Sequence, residues 1–264
     1  MNILKIYPTK DTESRYNYDI NYGVWDSIAG DRDTIEGFHS DFNEYDIVFL
    51  PQIKRWYGNE SLLNKIKSHK IKKVLFDNDS YRRSFSDNIY AGFDYIFYRD
   101  LDRNKRKPLI PSSLLKWSVN TVRFTPVYGG SGIEFMCSIV DYPLRKQVAQ
   151  FVNHSKVSGD NYVKRLQAAG AAIHVDHPKV GAVAAKVLEF AACGTQIISN
   201  RTKNMDLYFP DELIIYFENT THLKQIIKDF KPDIKVQEQL YDIAYVNHNH
   251  VSRAIEILNK IQSI

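Results

Sequence analysis

Cysteine is scarce in this chain, with Cys137 and Cys193 alone among 264 residues. Neither sits in a CxxC pair or a Cys/His cluster. A disulfide framework and a zinc site are thereby excluded, and the expected state is a buried free thiol in a reducing cytosol. Long hydrophobic runs are missing too. No stretch approaches the ~18–20 apolar residues that cross a bilayer, and no basic-then-apolar leader opens the sequence. The expectation is a cytoplasmic protein without an integral membrane segment. Charge of one sign is not in excess: 35 Lys and Arg stand against 31 Asp and Glu, a net +4. That lacks the concentrated positive field of a dedicated nucleic-acid binder. The phosphate-loop GxxxxGK, GxSxG and HExxH motifs do not occur. Gly129-Gly130-Ser131-Gly132 precedes an apolar strand instead of following one, so it is not a phosphate-binding glycine loop.

What is present is the composition of a folded protein, 44% hydrophobic and 25% charged, with 17 tyrosines. Short apolar runs alternate with helical patterns. Strands are expected at Leu4–Tyr7, Ile47–Leu50, Lys73–Phe76, Tyr95–Tyr98, Val122–Thr125, Ile133–Cys137, Ala172–Val175, Gln196–Ser199 and Leu213–Phe217. Most are continuously apolar, the pattern of parallel strands covered on both faces. Helices are expected at Ser61–Ser68, Tyr142–Asn153, Asn161–Ala169, Ala182–Cys193, Thr221–Phe230 and Val251–Ile261, with Gly170 and Gly194 as stops. The proline and glycines of Phe124–Gly132 read as an interdomain hinge. The architecture inferred is α/β: two Rossmann-like domains, 1–127 and 128–264, facing a cleft, with the last helix crossing back to the first domain.

The most informative stretch runs from Ala182 to Asn200: an alanine-rich helix, a glycine stop, a strand and a polar strand end. A helix N-terminus offers free N–H groups to a diphosphate. Glu189 has the chemistry to accept hydrogen bonds from ribose hydroxyls, and Lys186, three residues earlier on the same face, to neutralise phosphate charge. Spacing alone leaves open the plainer alternative of an exposed i,i+3 ion pair.

This segment resembles the donor-binding helix of group 1 glycosyltransferases of the GT-B fold, in which Lys or Arg, Glu, Ala and Gly recur before an apolar strand. Asn200–Phe209 is similar to the family's loop leading to a Leu-Phe pair. Glu212–Phe217 resembles its next strand, and His248–Leu258 its closing His-Thr-x-x-x-Arg helix. Upstream, Ile133–Ser138 and Tyr142–Arg145 resemble the strand and Arg-bearing helix that open the C-terminal domain. The likeness covers about residues 133–258 and is closest to the spore-maturation-type branch. It implies that Glu189 binds the donor ribose and that Lys186 and Arg145 face the diphosphate or the sugar. Ser138 would lie beside the nucleotide, and Asn200, Arg201 and Thr202 near the sugar phosphate. His248 and Arg253 would hold the last helix in place. The second carboxylate that many retaining members carry is replaced by Gly181.

In such an enzyme the N-terminal half binds the acceptor. Asp77 and Asp79 follow the strand Val74–Phe76, where a carboxylate can serve as general base toward an acceptor hydroxyl; a helix-capping polar loop is the alternative. Tyr81 and Arg82 follow directly, and Arg15 and Tyr16 lie in the long loop after the first strand, giving four acceptor-side candidates. The run Arg99–Lys107 is basic but interrupted by two aspartates. It reads as a solvated connection, or as a contact to a phosphate-bearing acceptor such as DNA.

The resemblance implies metal-independent transfer of a hexose or pentose from a nucleoside-diphosphate sugar, UDP-sugar favoured, to a hydroxyl of a glycan, small molecule or modified DNA, with no cofactor. The competing expectations are a DNA-modifying glycosyltransferase acting on a hydroxylated base and a non-catalytic nucleotide-sugar-binding module.

Overall fold

The structure, a computed structural model, describes residues 1–8, 23–77, 90–98, 110–136, 142–152, 154, 157–176, 183–202 and 204–263. Two compact units divide the chain: Met1–Lys116 with Arg253–Ile264, and Trp117–Ser252.

In the first unit β1 (Ile3–Tyr7), β2 (Asp31–Thr34), β3 (Ile47–Pro51), β4 (Lys72–Asp77), β5 (Tyr95–Tyr98) and β6 (Ser112–Leu114) form a parallel sheet in the order β2-β1-β3-β4-β5-β6. Alternate residues point to opposite faces, and each face has its own core. Ile3, Tyr7, Phe49, Phe76 and Phe97 pack with Trp25 of α1 (Gly23–Asp26) and with Ala254, Ile257 and Ile261 of the final helix, His250–Ile261. Leu4, Ile6, Val48, Leu50 and Leu75 pack with Leu63 and Ile66 of α2 (Glu60–Ser68). Double coverage is why β3 (IVFLP) and β5 (YIFY) read as unbroken apolar runs. Two lysines share the interior. Lys5 Nζ donates to the carbonyls of Trp25 (3.1 Å) and Ile28 (2.7 Å), and Lys73 Nζ to those of His69 (2.8 Å) and Ile71 (2.6 Å). Each ammonium is buried against main-chain oxygens, which offsets its desolvation.

The second unit holds β7 (Ile133–Glu134), β8 (Ala171–His174), β9 (Gln196–Asn200) and β10 (Ile214–Phe217), parallel in the order β10-β9-β8-β7. Its helices are α3 (Pro143–Val148), α4 (Gly159–Ala168), α5 (Lys186–Ala192), α6 (Thr220–Asp229) and α7 (Ile234–Asn247); the final helix is α8. Pro143 opens α3 in its first turn, where its missing N–H is not needed. Asn219 and Asp233 cap α6 and α7 through side-chain oxygens that accept from His222 N and Lys235 N. Gly194 ends α5 at φ +72°, and a Cβ there would lie 2.9 Å from the Tyr128 ring. The half-buried Arg165 guanidinium grips Glu134 with two bonds, of 3.2 and 2.5 Å, and so ties α4 to β7.

Several expectations are corrected. Val122–Thr125 is a turn: Asn120 Oδ1 accepts from Val122 N and Arg123 N, and Val122 is 89% exposed. The stretch read as a hinge packs inside the second unit. Gln237 of α7, fully buried, accepts from Gly129 N and donates to Gly170 O. The division falls at Lys116 instead of residue 127, and α8 from Arg253 onward packs with the first unit. The donor-helix candidate starts at Lys186, not Ala182. Strands β2 and β6 and helix α7 were not anticipated. β2 is Asp-Arg-Asp-Thr with half its residues exposed. The buried stripe of α7 consists of Gln237, Leu240 and Ala244, while Ile234, Tyr245 and Val246 face solvent.

Candidate functional site

Parallel strands bind ligands beyond their carboxyl ends, where loops and helix starts converge. In the second unit that edge gathers side chains from five elements. Glu189, in the first turn of α5, is 2% exposed, and the Tyr162 hydroxyl of α4 donates to its Oε2 at 2.6 Å. The exposed ion pair that spacing allowed is therefore not what forms. Lys186, the first residue of α5, lies with its ammonium 5.7 Å from the Tyr162 ring centre and donates to Met136 O beyond β7 at 2.8 Å. Arg145 of α3 donates from Nε to Val175 O at 2.8 Å and stacks on the Tyr142 ring at 4.0 Å. Two cations are thus anchored on carbonyls just past the ends of β7 and β8.

His174 closes β8, 4% exposed, with these two cations as its charged neighbours. Burial, with the positive charges of Arg145 and Lys186 adding to it, pulls its imidazole down to about 3, so the ring is neutral at physiological pH. At the end of β9, Asn200 Oδ1 accepts from Asp176 N at 2.8 Å and fixes the chain leaving β8. Beyond it the Thr202 hydroxyl is buried with no hydrogen-bond partner among the described residues. Arg201 turns elsewhere: it pairs with Asp211 at 3.1 Å and lies over the Tyr216 ring at 4.4 Å. The Tyr216 hydroxyl also donates to Asp211, and burial together with that carboxylate raises its pKa. Ser138 and Cys137 lie outside the described residues. Cys193 is a buried free thiol, its pKa raised by burial and then by Glu189. His248 is buried, with Nε2 3.2 Å from Tyr208 O and its ring against Tyr208 and Phe209. Arg253, also buried, pairs with Glu256 on α8.

The carboxyl edge of the first sheet has a different character. Asp77 ends β4, 5% exposed, and its Oδ2 accepts from the Tyr90 hydroxyl at 2.5 Å. Gln52 follows β3, adjacent to β4 in the sheet, and its Oε1 is buried without a hydrogen-bond partner among the described residues. Tyr7 closes β1, with its hydroxyl donating to Asp26 at 2.6 Å and Arg32 over its ring at 4.3 Å. Asp79, Tyr81, Arg82, Arg15, Tyr16 and the 99–107 segment lie outside the described residues. Among the described residues no group of three or more His, Cys, Asp or Glu is placed to hold a metal ion, and no helix is long and apolar enough to cross a membrane.

Sequence reading missed His174, Tyr162 and Gln52. Each left a faint trace, a polar group at the end of an apolar strand or a tyrosine on the inner stripe of a helix. A single sequence does not distinguish such traces from ordinary burial.

A profile of the glycosyl transferase-like family matches residues 120–259, just over half of the chain and nearly all of the second unit. The chain belongs to that family. This glycosyltransferase also matches solved structures along its length. Anabaena HepE in complex with UDP and glucose is 10% identical, with a TM-score of 0.66 over 100% of both chains. The DNA modifying enzyme β-glucosyltransferase is 12% identical, with a TM-score of 0.65 over 100% of both. Sucrose-phosphate synthase from Thermosynechococcus elongatus is 10% identical, with a TM-score of 0.60 over 87% of this chain and 76% of that one. At such identities the likeness establishes the fold: two Rossmann-like units of the GT-B type, as the resemblance implied. A comparison with curated protein sequences finds no significant match.

Proposed function

We propose that this glycosyltransferase takes its sugar from a nucleoside-diphosphate sugar, a UDP-sugar in the first instance, and that the second unit binds that donor. The observation that carries the reading is the buried Glu189 flanked by Lys186, with Arg145 anchored at the same strand ends. A desolvated carboxylate held by a tyrosine suits a pair of vicinal ribose hydroxyls, and two anchored cations suit a diphosphate. Two of the structural relatives are described with UDP or uridine diphosphoglucose.

In this reading the bond between the anomeric carbon and the diphosphate oxygen breaks, and the electron pair leaves with the nucleoside diphosphate. Charge builds on that oxygen in the transition state, where Arg145 and Lys186 stabilise it without needing a metal ion. The Thr202 hydroxyl adds a donor. The first unit carries the acceptor, a hydroxyl compound whose proton passes to Asp77 as the new glycosidic bond forms. Gln52 Oε1, a buried acceptor atom beside that strand end, orients the hydroxyl.

Thermal-shift measurement over UDP, GDP, ADP, CDP and dTDP tests the donor assignment, because a ligand that binds the native state raises its apparent stability. One nucleotide should stabilise the wild type, and Glu189→Gln should weaken its binding about five- to tenfold. Glutamine is the better probe because Glu189 is buried against Tyr162, so that alanine would also open a cavity. An unchanged affinity in Glu189→Gln would remove the ribose assignment.

A further inference from the structure

Among the buried polar groups of the second unit, His174 stands at the carboxyl end of a strand with two cations as its charged neighbours. Its Nε2 has no hydrogen-bond partner among the described residues. Buried polar atoms of native proteins are nearly always paired, and one that is not calls for an explanation such as a ligand. Packing does not require a polar group here, since Ala171, Ala172 and Ile173 before it on the strand and Val175 after it are apolar and buried. Its position is the one that ligands of parallel sheets use: His174 lies opposite Ser199 in register at the carboxyl end of β8, next to the chain that Asn200 fixes. Its charged neighbours are the guanidinium of Arg145 and the ammonium of Lys186. Buried, with two cations as neighbours, an imidazolium is disfavoured, so the ring enters as a neutral tautomer. With the proton on Nε2 it offers a hydrogen bond to an anion while adding no charge.

We propose that His174 Nε2 is a hydrogen-bond donor to the diphosphate of the sugar nucleotide, beside Arg145 and Lys186. This rests on the donor-site reading above. The imidazole is a binding and orienting group: it holds one phosphate oxygen in the ground state and as the leaving group departs, and it exchanges no proton with the substrate. Arg145 and Lys186 supply charge from flexible side chains tethered to carbonyls, whereas the ring sits on a strand and fixes direction.

The test uses the nucleoside diphosphate that stabilises the wild type most, together with its parent nucleoside, in isothermal titration calorimetry. The proteins are wild type, His174→Leu, His174→Gln and Glu189→Gln. His174→Leu should lose about tenfold in affinity for the diphosphate and keep its affinity for the nucleoside, which also reports that the variant is folded. His174→Gln, with an amide N–H near the same place, should recover most of the loss. Equal weakening toward diphosphate and nucleoside would overturn the proposal and make His174 a structural residue. So would unchanged diphosphate affinity in His174→Leu, or an equal loss in the leucine and glutamine variants. A wild type that binds no nucleoside diphosphate would overturn the donor-site reading and this inference with it. Failure of the inference alone leaves wild-type binding and the Glu189→Gln effect in place.

Discussion

Asp77 with Tyr90 and Glu189 with Tyr162 are one device used twice. In each, a carboxylate is buried at or just past the carboxyl end of a parallel sheet and held by a tyrosine hydroxyl at 2.5 or 2.6 Å. Their surroundings differ. Glu189 has the Lys186 ammonium beside the ring of its tyrosine and the Arg145 guanidinium on the same sheet edge. Beside Asp77, at the end of the next strand, stands the neutral Gln52. In the proposed function the same pair serves two ligands: hydroxyls next to a diphosphate in the second unit, and a hydroxyl about to lose its proton in the first.

The sharpest break of this comparison is a double dissociation. Asp77→Asn should lower turnover by at least about a hundredfold while leaving nucleoside-diphosphate affinity unchanged, since it removes a base and no donor contact. Lys186→Met should instead weaken nucleoside-diphosphate binding, by about tenfold or more, and spare nucleoside affinity. If the two variants move the same parameter, the division of labour between the units is wrong.

A smaller effect separates structure from binding within each pair. Tyr90→Phe and Tyr162→Phe each leave a buried carboxylate without its phenolic donor, and each should reduce stability by about 1–3 kcal/mol in urea denaturation. Tyr162→Phe alone should also change nucleotide affinity. Equal nucleotide effects from both would dissolve the contrast.

The effects smallest at neutral pH concern acid. Unfolded His174 takes up a proton near its ordinary 6.5 and the native ring only near 3. Between those values the unfolded state binds more protons, so stability falls as pH drops from 6.5 toward 3, and His174→Gln should flatten that limb. In the first unit Asp33 behaves differently. Burial raises its carboxyl, but bonds from Ser40 Oγ and from the main chain of His39, Thr34 and Ser40 outweigh it, and the pKa ends below the ordinary 3.8. Its contribution is present above that value and lost as pH falls through the native pKa, so Asp33→Asn should alter only the lowest part of a stability–pH curve. A single shared acid transition, unmoved by either variant, would argue against both assignments.

The sequence made the two-sheet architecture legible because strands covered on both faces cannot hide: β3 and β5 are apolar throughout, and β1, β4 and β9 each carry an apolar pair or triplet. It also marked Lys186 and Glu189, since a short pattern on one helix keeps its partners close in sequence. What it did not mark depends on distant pairing. β2 is a strand because its main chain pairs with β1, whatever its polar side chains prefer. Gln237 makes α7 a core helix by bonding to two glycines more than sixty residues away. His174 and Tyr162 acquire meaning only when β8, α4 and α5 come together. The hinge reading failed because glycines permit close approach as readily as they permit bending. A Cβ on Gly170 would meet Gly130 O at 2.7 Å and Pro232 at 2.8 Å.

The final helix carries a consequence for biosynthesis. One face of the first sheet is completed by Ala254, Ile257 and Ile261, all nearly inaccessible to solvent. Until those residues have emerged from the ribosome, the strands made first present an uncovered apolar surface. Completion of the first unit therefore waits for a segment encoded beyond the whole of the second, and no single cut of the chain separates the two sheets with their cores intact.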